Sequence, residues 1–417
     1  MEVSGFAMTP HATHEIPWDR DRRHLGELAR PIARWSAIVA ASALGLSLIL
    51  GLANGDKGRH FLHGYLVSYA ALLSITLGGL FFVALQHLVS ASWSVTVRRL
   101  AEIIAANMPL MALLTLPIAA SLLAGSDSLY IWNNPEVVRA NELLVNKRAY
   151  LNAPFFCIRL AVFFLAWCAL GRFFYTRSVK QDDSGDPGLS DSMRGVSAPS
   201  MLIYAATVTF ASFDLLMSLT PLWYSTIFGV YIFAGGMVGF LSLLILSALA
   251  LRRLGLLSSL ITVEHYHDLG KLLFGFVFFW GYIAFSQFLL IWYANLPEET
   301  SWYVTRQTGS WVYVSIVLLT FNFIVPFLGL LSRHAKRNLT SLGGWAALLL
   351  VMHWIDTYYI VMPSFSPTGV PSPLIDLTLA IGLGALYLFG LARTAAKTSL
   401  VPERDPRLAR SLSFQNV

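Results

Sequence analysis

The sequence predicts an all-α polytopic membrane protein with about ten transmembrane helices. Three observations carry that expectation. Of the 417 residues, 56% are hydrophobic and 12% charged, where an ordinary soluble domain has about 25% charged residues; mean hydropathy is +0.62. The apolar residues are gathered into runs that can each cross about 30 Å of hydrocarbon at about 1.5 Å per residue. Lys and Arg fall mostly on alternate loops, so the net charge of +6 reads as membrane topology rather than as a footprint for nucleic acid.

Taken in order, residues 1–33 are polar, carry His11, His14 and His24 beside a basic cluster, and lack the apolar core of a signal peptide. They are expected to form a cytoplasmic N-terminal tail; nothing near His11 and His14 completes a metal site. The transmembrane domain is expected over 34–396, with spans at 34–53, 63–90, 99–124, 150–175, 198–219, 223–251, 271–294, 309–332, 341–362 and 373–395. His63 and His87 mark the two ends of the second span. Arg98 and Arg99 precede the third, and Cys157 and Cys168 share the fourth. The fifth holds Asp214 and stops at Thr220-Pro221. An aromatic rim, Leu222-Trp223-Tyr224, opens the sixth, where Gly235 and Gly239 are spaced for close helix packing. The ninth carries His353 and Asp356. Residues 397–417 are expected to be a cytoplasmic C-terminal tail.

The loops confirm the alternation. Only Lys57, Arg59, Arg139, Lys147, Arg148, Arg159 and Arg306 lie away from the tails, the loops after even-numbered spans and the adjoining helix ends. This positive-inside bias expects both termini in the cytoplasm. The long outer loop, about 125–149, contains Asn133-Asn-Pro-Glu-Val-Val-Arg-Ala-Asn-Glu142, which suits a short surface helix. The long inner loop, about 177–197, is rich in Asp, Ser and Gly and reads as flexible.

Polar residues inside the spans are the candidate site residues, because ionised side chains at bilayer depth are costly and need a partner or a water path. Toward the outer face lie His63, Arg159, Asp214, Gln287, His353 and Asp356; toward the cytoplasm lie His87, Glu102, Asn107, Asp268 and Lys271, with Asn322 nearer mid-depth. Asp214 could form a structural ion pair with Arg159 or serve a proton. His353 and Asp356, three residues apart, share a helical face and could orient helices or act chemically. Glu102 is one turn from Arg98 and three residues from Arg99, an arrangement that neutralises it, and Asp268 can pair with Lys271 in the same way. Gln287 and Asn107 suit hydrogen bonds between helices. His63 and His87 sit near span ends, where imidazole is cheap. One reading has Asp214, Arg159, His353, Asp356 and Gln287 line an outer proton site, with Glu102, Asn107, Asp268, Lys271 and His87 on an inner proton path. Cofactor chemistry is limited. Haem held between membrane helices needs paired histidines and a cluster needs about four thiolates, whereas the expected spans offer His63, His87 and His353 at mismatched depths and two cysteines in one helix.

Three segments carry a family resemblance: Phe213-Asp214 through Met217-Ser218-Leu219, Pro221, Trp223 and Ser225-Thr-Ile-Phe-Gly-Val-Tyr231; Asp268-Leu-Gly-Lys271 with Trp280, Tyr282, Phe285-Ser286-Gln287 and Trp292-Tyr-Ala-Asn-Leu-Pro-Glu-Glu299; and His353 with Asp356. Over about residues 211–363 the chain resembles the integral-membrane subunits of bacterial alternative complex III, in the polysulfide-reductase (NrfD-like) superfamily, and most of all the smaller of that complex's two NrfD-like subunits. The resemblance implies two four-helix bundles with peripheral helices. It also implies a place in the bacterial inner membrane within a quinol:electron-acceptor oxidoreductase of respiratory or photosynthetic electron transport. Its partners would be a sister NrfD-like subunit, an iron-sulfur protein, multihaem cytochrome c subunits and small membrane subunits. Haem and clusters would sit on those partners, this chain binding at most quinol or quinone, with Asp214, His353, Asp356, Arg159 and Gln287 as the candidate quinone site. The competing classes are a proton-coupled secondary transporter, which also buries carboxylates and breaks helices, and a purely structural anchor.

Overall fold

The computed structural model describes residues 23–416; the tail residues His11, His14, Arg20 and Arg22 lie outside the described residues. Among the described residues, ten helices are long and apolar enough to cross a membrane: α1 (Gly26–Ala53), α2 (Arg59–Leu88), α3 (Val95–Leu123), α4 (Ala153–Ser184), α5 (Gly188–Leu219), α6 (Phe228–Arg253), α7 (Val263–Ala294), α8 (Trp311–Leu331), α9 (Leu339–Ser364) and α10 (Leu374–Ala395). The chain is a multi-pass, all-α membrane protein.

Helices α2 and α6 are the most buried of the ten and pack on each other. Helix α2 also packs on α3, α4, α5, α9 and α10, and α6 on α5, α7 and α9; α8 lies against α7 and α9, and α1 mainly on α10. Small residues permit the central contact: a side-chain carbon at Gly78 would come within 2.6 Å of Phe240 Cβ, and one at Gly236 within 3.0 Å of the Ser74 carbonyl oxygen. Without a hydrophobic drive between helices in lipid, such close approach is what holds spans together.

Proline sets the irregularities. Helix α3 is broken into Val95–Ala105, Met108–Leu114 and Leu116–Leu123, with Pro109 and Pro117 opening the later pieces, since proline supplies no amide hydrogen for the ladder. Helix α8 passes through a π-helical stretch, Leu319–Ile324, just before Pro326.

The even number of crossings returns the chain to the side on which it starts, and Leu400 N donates to Arg23 O at 2.8 Å. We call that end inner and the opposite end outer. In the outer loop the expected surface helix is present as two short ones, Pro135–Arg139 and Glu142–Lys147, capped by the side chains of Asn134 and Asn141.

Several expectations are corrected. The inner loop 177–197 is not flexible: α4 runs on to Ser184, Gly185 closes it in the left-handed region (φ 68°), and α5 starts at Gly188. Gln181 Nε2 ties this corner to Asp186 O and Ser190 Oγ, both at 2.9 Å. The Asp- and Ser-rich composition that resembles a linker belongs to helix ends projecting past the apolar layer. Helix α1 starts at Gly26, within the expected tail, and α2 and α7 start at Arg59 and Val263, so His60, His265 and His267 join the helical histidines. The segment 397–416 is no free tail. Leu400, Val401, Asp405 and Ser411 are buried under the inner end, where Ser411 Oγ donates to Trp93 O at 2.8 Å and His265 Nε2 meets Ser411 O at 3.1 Å.

Candidate functional site

The site is built on α9, whose outer half carries His353 and Asp356 on one face, as their spacing expects. Asp356 is 3% exposed and meets no cation within ion-pair distance among the described residues. Its oxygens are instead held by two neutral donors: Tyr231 Oη of α6 donates to Oδ1, and Trp280 Nε1 of α7 donates to Oδ2 at 3.0 Å. Gly235, one turn beyond Tyr231, makes the room. A side-chain carbon there would sit 3.2 Å from Asp356 Oδ2 and 3.6 Å from His353 Nδ1. His353 turns Nε2 to Ser74 Oγ of α2 at 2.9 Å, and its Nδ1 is buried without a partner. One face of α9 is thus tied to α2, α6 and α7.

Beside Asp356 opens a cleft of about 660 Å³ between α7, α8 and α9. Trp280, Ala284 and Gln287 line it along α7, at the i, i+4, i+7 spacing of one helical face. Its rim is apolar and uncovered: Phe278, Tyr282 and Phe285 are 52, 57 and 60% exposed. Entry is therefore from the lipid side. Deeper in, Gln287 Oε1 is buried with no partner. The π-helical turn of α8 contributes Leu319 and Phe323 to the opposite wall; such turns recur at functional sites.

A short helix, Pro297–Arg306, roofs the cleft at the outer end. Trp302 stacks on Trp223 with centroids 4.8 Å apart. Arg306 lies over the Trp302 ring, 3.4 Å from its centroid, and donates to the carbonyls of Tyr359 and Ile360 at 3.1 and 2.7 Å. These are the last turn of α9, where the helix dipole favours a cation. Burial pulls the Arg306 guanidinium down to about 10, so it stays charged at neutral pH.

Arg159 and Asp214 form the expected ion pair elsewhere. Arg159 Nε and Nη2 reach Asp214 Oδ2 and Oδ1 at 2.8 and 2.9 Å, a bidentate fork, with Tyr150 stacked on the guanidinium 3.8 Å away. This pair braces α4 against α5, and no hydrogen bond joins it to Asp356 among the described residues. Above it lies a second cavity, about 490 Å³, between the outer-loop helix and the α5–α6 turn.

The inner candidates also divide. Glu102 is clamped by Arg98 and Arg99 at 3.3 and 2.9 Å, as expected. Arg98 further reaches Asp405 and Arg99 reaches Asp182, at 2.5 and 2.8 Å. Burial pushes the Asp405 carboxyl up, but Arg98 and Arg407 outweigh it and hold the group well below the usual carboxylate range. Asp268 pairs with Lys271, which also donates to Asn416 Oδ1 at 2.7 Å. Asn107 Nδ2 donates to Tyr387 O at 3.2 Å. Both ring nitrogens of His87 are buried and unpartnered, and the ring stacks on Phe174 at 5.7 Å. His63 bonds Arg59 O within its own helix, at 2.8 Å, and Asn322 lies in the π-helical turn.

Sequence reasoning missed Tyr231 and Arg306 as site residues, since an aromatic in an apolar run and a loop arginine carry no signal of their own. It also missed Asp376, fully buried at the start of α10 and 3.1 Å from His60 Nε2, because an acid in a first turn reads as an ordinary helix start. No protein-family model matches the chain and a search of curated proteins finds no match.

Proposed function

We propose that the chain is the membrane subunit of a quinol:electron-acceptor oxidoreductase of the alternative complex III type, and that the α7–α8–α9 cleft takes a quinol headgroup. The observation that carries the reading is Asp356: a buried carboxylate held only by neutral donors, at the back of an aromatic-walled cleft that opens to lipid. A flat headgroup fits between aromatic rings, an isoprenoid tail fits the apolar rim, and a carboxylate without a cation suits a proton acceptor. Gln287 supplies an unused hydrogen-bonding group for one headgroup oxygen. Electrons leave to an iron-sulfur protein and multihaem cytochrome c subunits seated on the outer face, beside a sister NrfD-like subunit and small membrane subunits. The complex lies in the bacterial inner membrane with both termini of this chain in the cytoplasm.

A photoreactive quinone analogue applied to the complex in mild detergent tests the reading. Labelling of the α7 stretch 280–288, displaced by unlabelled quinol, and co-purification of haem-bearing partners are expected. Recovery of the chain alone as a transport-competent oligomer, with no labelling of α7, overturns the reading in favour of a secondary transporter.

A further inference from the structure

We propose that Tyr231 is the residue that takes the proton from the bound headgroup and passes it to Asp356. The inference rests on the quinol reading above and assigns the proton step within that site. Asp356 itself does not line the cleft; Tyr231 and Trp280 do. Both direct their polar hydrogens onto the carboxylate, so each links the cleft to the acid. The two are not equivalent. An indole N–H donates and cannot accept, whereas a phenol hydroxyl donates and accepts at once. With its own hydrogen already on Asp356 Oδ1, the Tyr231 oxygen has lone pairs free for a ligand hydroxyl.

No hydrogen bond joins another polar group of the cleft to a carboxylate among the described residues. Ser315 Oγ lies 3.0 and 3.2 Å from the Arg306 and Trp311 carbonyl oxygens and 3.2 Å from Tyr359 Oη. Tyr231 is 7% exposed and ringed by Phe228 and Trp280, with centroids 6.4 and 5.9 Å away, so bulk water does not replace the ligand as proton donor. The step balances as two linked transfers. The ligand O–H bond breaks as a new Tyr231 O–H forms; the original Tyr231 O–H breaks as the Asp356 carboxylic O–H forms. Tyr231 is neutral before and after, and the electron leaves the ligand for a one-electron iron centre on a partner subunit. Trp280 is a positioning residue, holding Oδ2 while Oδ1 receives the proton.

The test uses the assembled complex, with photolabelling of α7 for binding and quinol-dependent acceptor reduction for turnover. Tyr231→Phe is expected to label as the parent does while turnover falls by about 100-fold, the scale of a lost proton-transfer group. Combined with Asp356→Asn it should be little worse than either alone, because the two act as one unit. Trp280→Phe should lose about tenfold or less, the hydrogen bond to Oδ2 alone being removed. Turnover within about threefold of the parent in a labelled Tyr231→Phe complex overturns the relay and leaves the quinol site standing. Loss of labelling in that variant also overturns it, since Tyr231 would then be a binding group. Absence of labelling in the parent instead removes the quinol reading itself. Should Tyr231→Phe fail to assemble, 3-fluorotyrosine at position 231 keeps the shape and the hydroxyl while raising its acidity. A changed turnover and solvent deuterium isotope effect are expected, and unchanged values overturn the relay.

Discussion

Asp214 and Asp356 both lie in the outer half of the bundle, both are shielded from water, and both interrupt otherwise apolar helices. Their surroundings differ in one respect. Asp214 faces a guanidinium that matches it in charge and shape, whereas Asp356 faces a phenol and an indole. A buried bidentate pair is matched in charge and in hydrogen-bond geometry, so it braces α4 and α5. A carboxylate held by neutral donors has no such counter-charge beside it. Depth and burial mark both residues as unusual; the sign of the neighbours separates brace from chemistry.

The sharpest way to break the comparison is to strand each acid in turn. Arg159→Leu leaves the Asp214 carboxylate buried and alone, which costs about 3–5 kcal/mol. A large drop in unfolding midpoint or failure to assemble is expected, with most of it recovered by adding Asp214→Leu. Asp356→Asn should do the reverse, assembling normally while quinol-dependent turnover falls by about 100-fold or more. Equal loss of turnover per assembled complex from Asp214→Asn would erase the distinction. Gly235→Ala comes next: its added carbon, 3.2 Å from Asp356 Oδ2, displaces the carboxylate slightly, and a loss of about tenfold in turnover with unchanged assembly is expected.

The smallest effect concerns pH and extends the comparison to a third acid. Asp405 belongs to the charge-matched class, with Arg98 and Arg407 holding its carboxyl below the usual range. A group depressed in the folded state adds stability that is fully present above its unfolded pKa and is lost as pH falls through the folded one. The unfolding midpoint should therefore owe no slope to Asp405 between about pH 5 and 7, and should fall below about pH 4. Asp405→Asn should flatten that acid limb, and an unchanged limb in the variant would remove Asp405 from the charge-matched class.

Much of this was legible along the chain. Each of the ten spans was found within a few residues of an end, apart from helices that run on past the apolar layer, such as α4 at Ser184 and α7 at Val263. The local ion pairs were legible too: Glu102 with Arg98 and Arg99, and Asp268 with Lys271, are fixed by helical spacing. Arg159 with Asp214 was a fair guess from adjacent spans of matching depth.

The sequence by itself determined that the chain is a multi-pass membrane protein with about ten spans and which polar residues those spans carry. It does so because the bilayer is a solvent that every run of about 20 residues meets directly, so hydropathy and basic loops report on it locally. Only the tertiary structure decided what each buried acid faces. Asp356 meets Tyr231 across 125 residues, Arg98 meets Asp405 across 307, and His60 meets Asp376 across 316. Such partners are chosen by how helices rotate and pack at their small residues, and helix rotation leaves no mark in hydropathy or in the spacing of any single span.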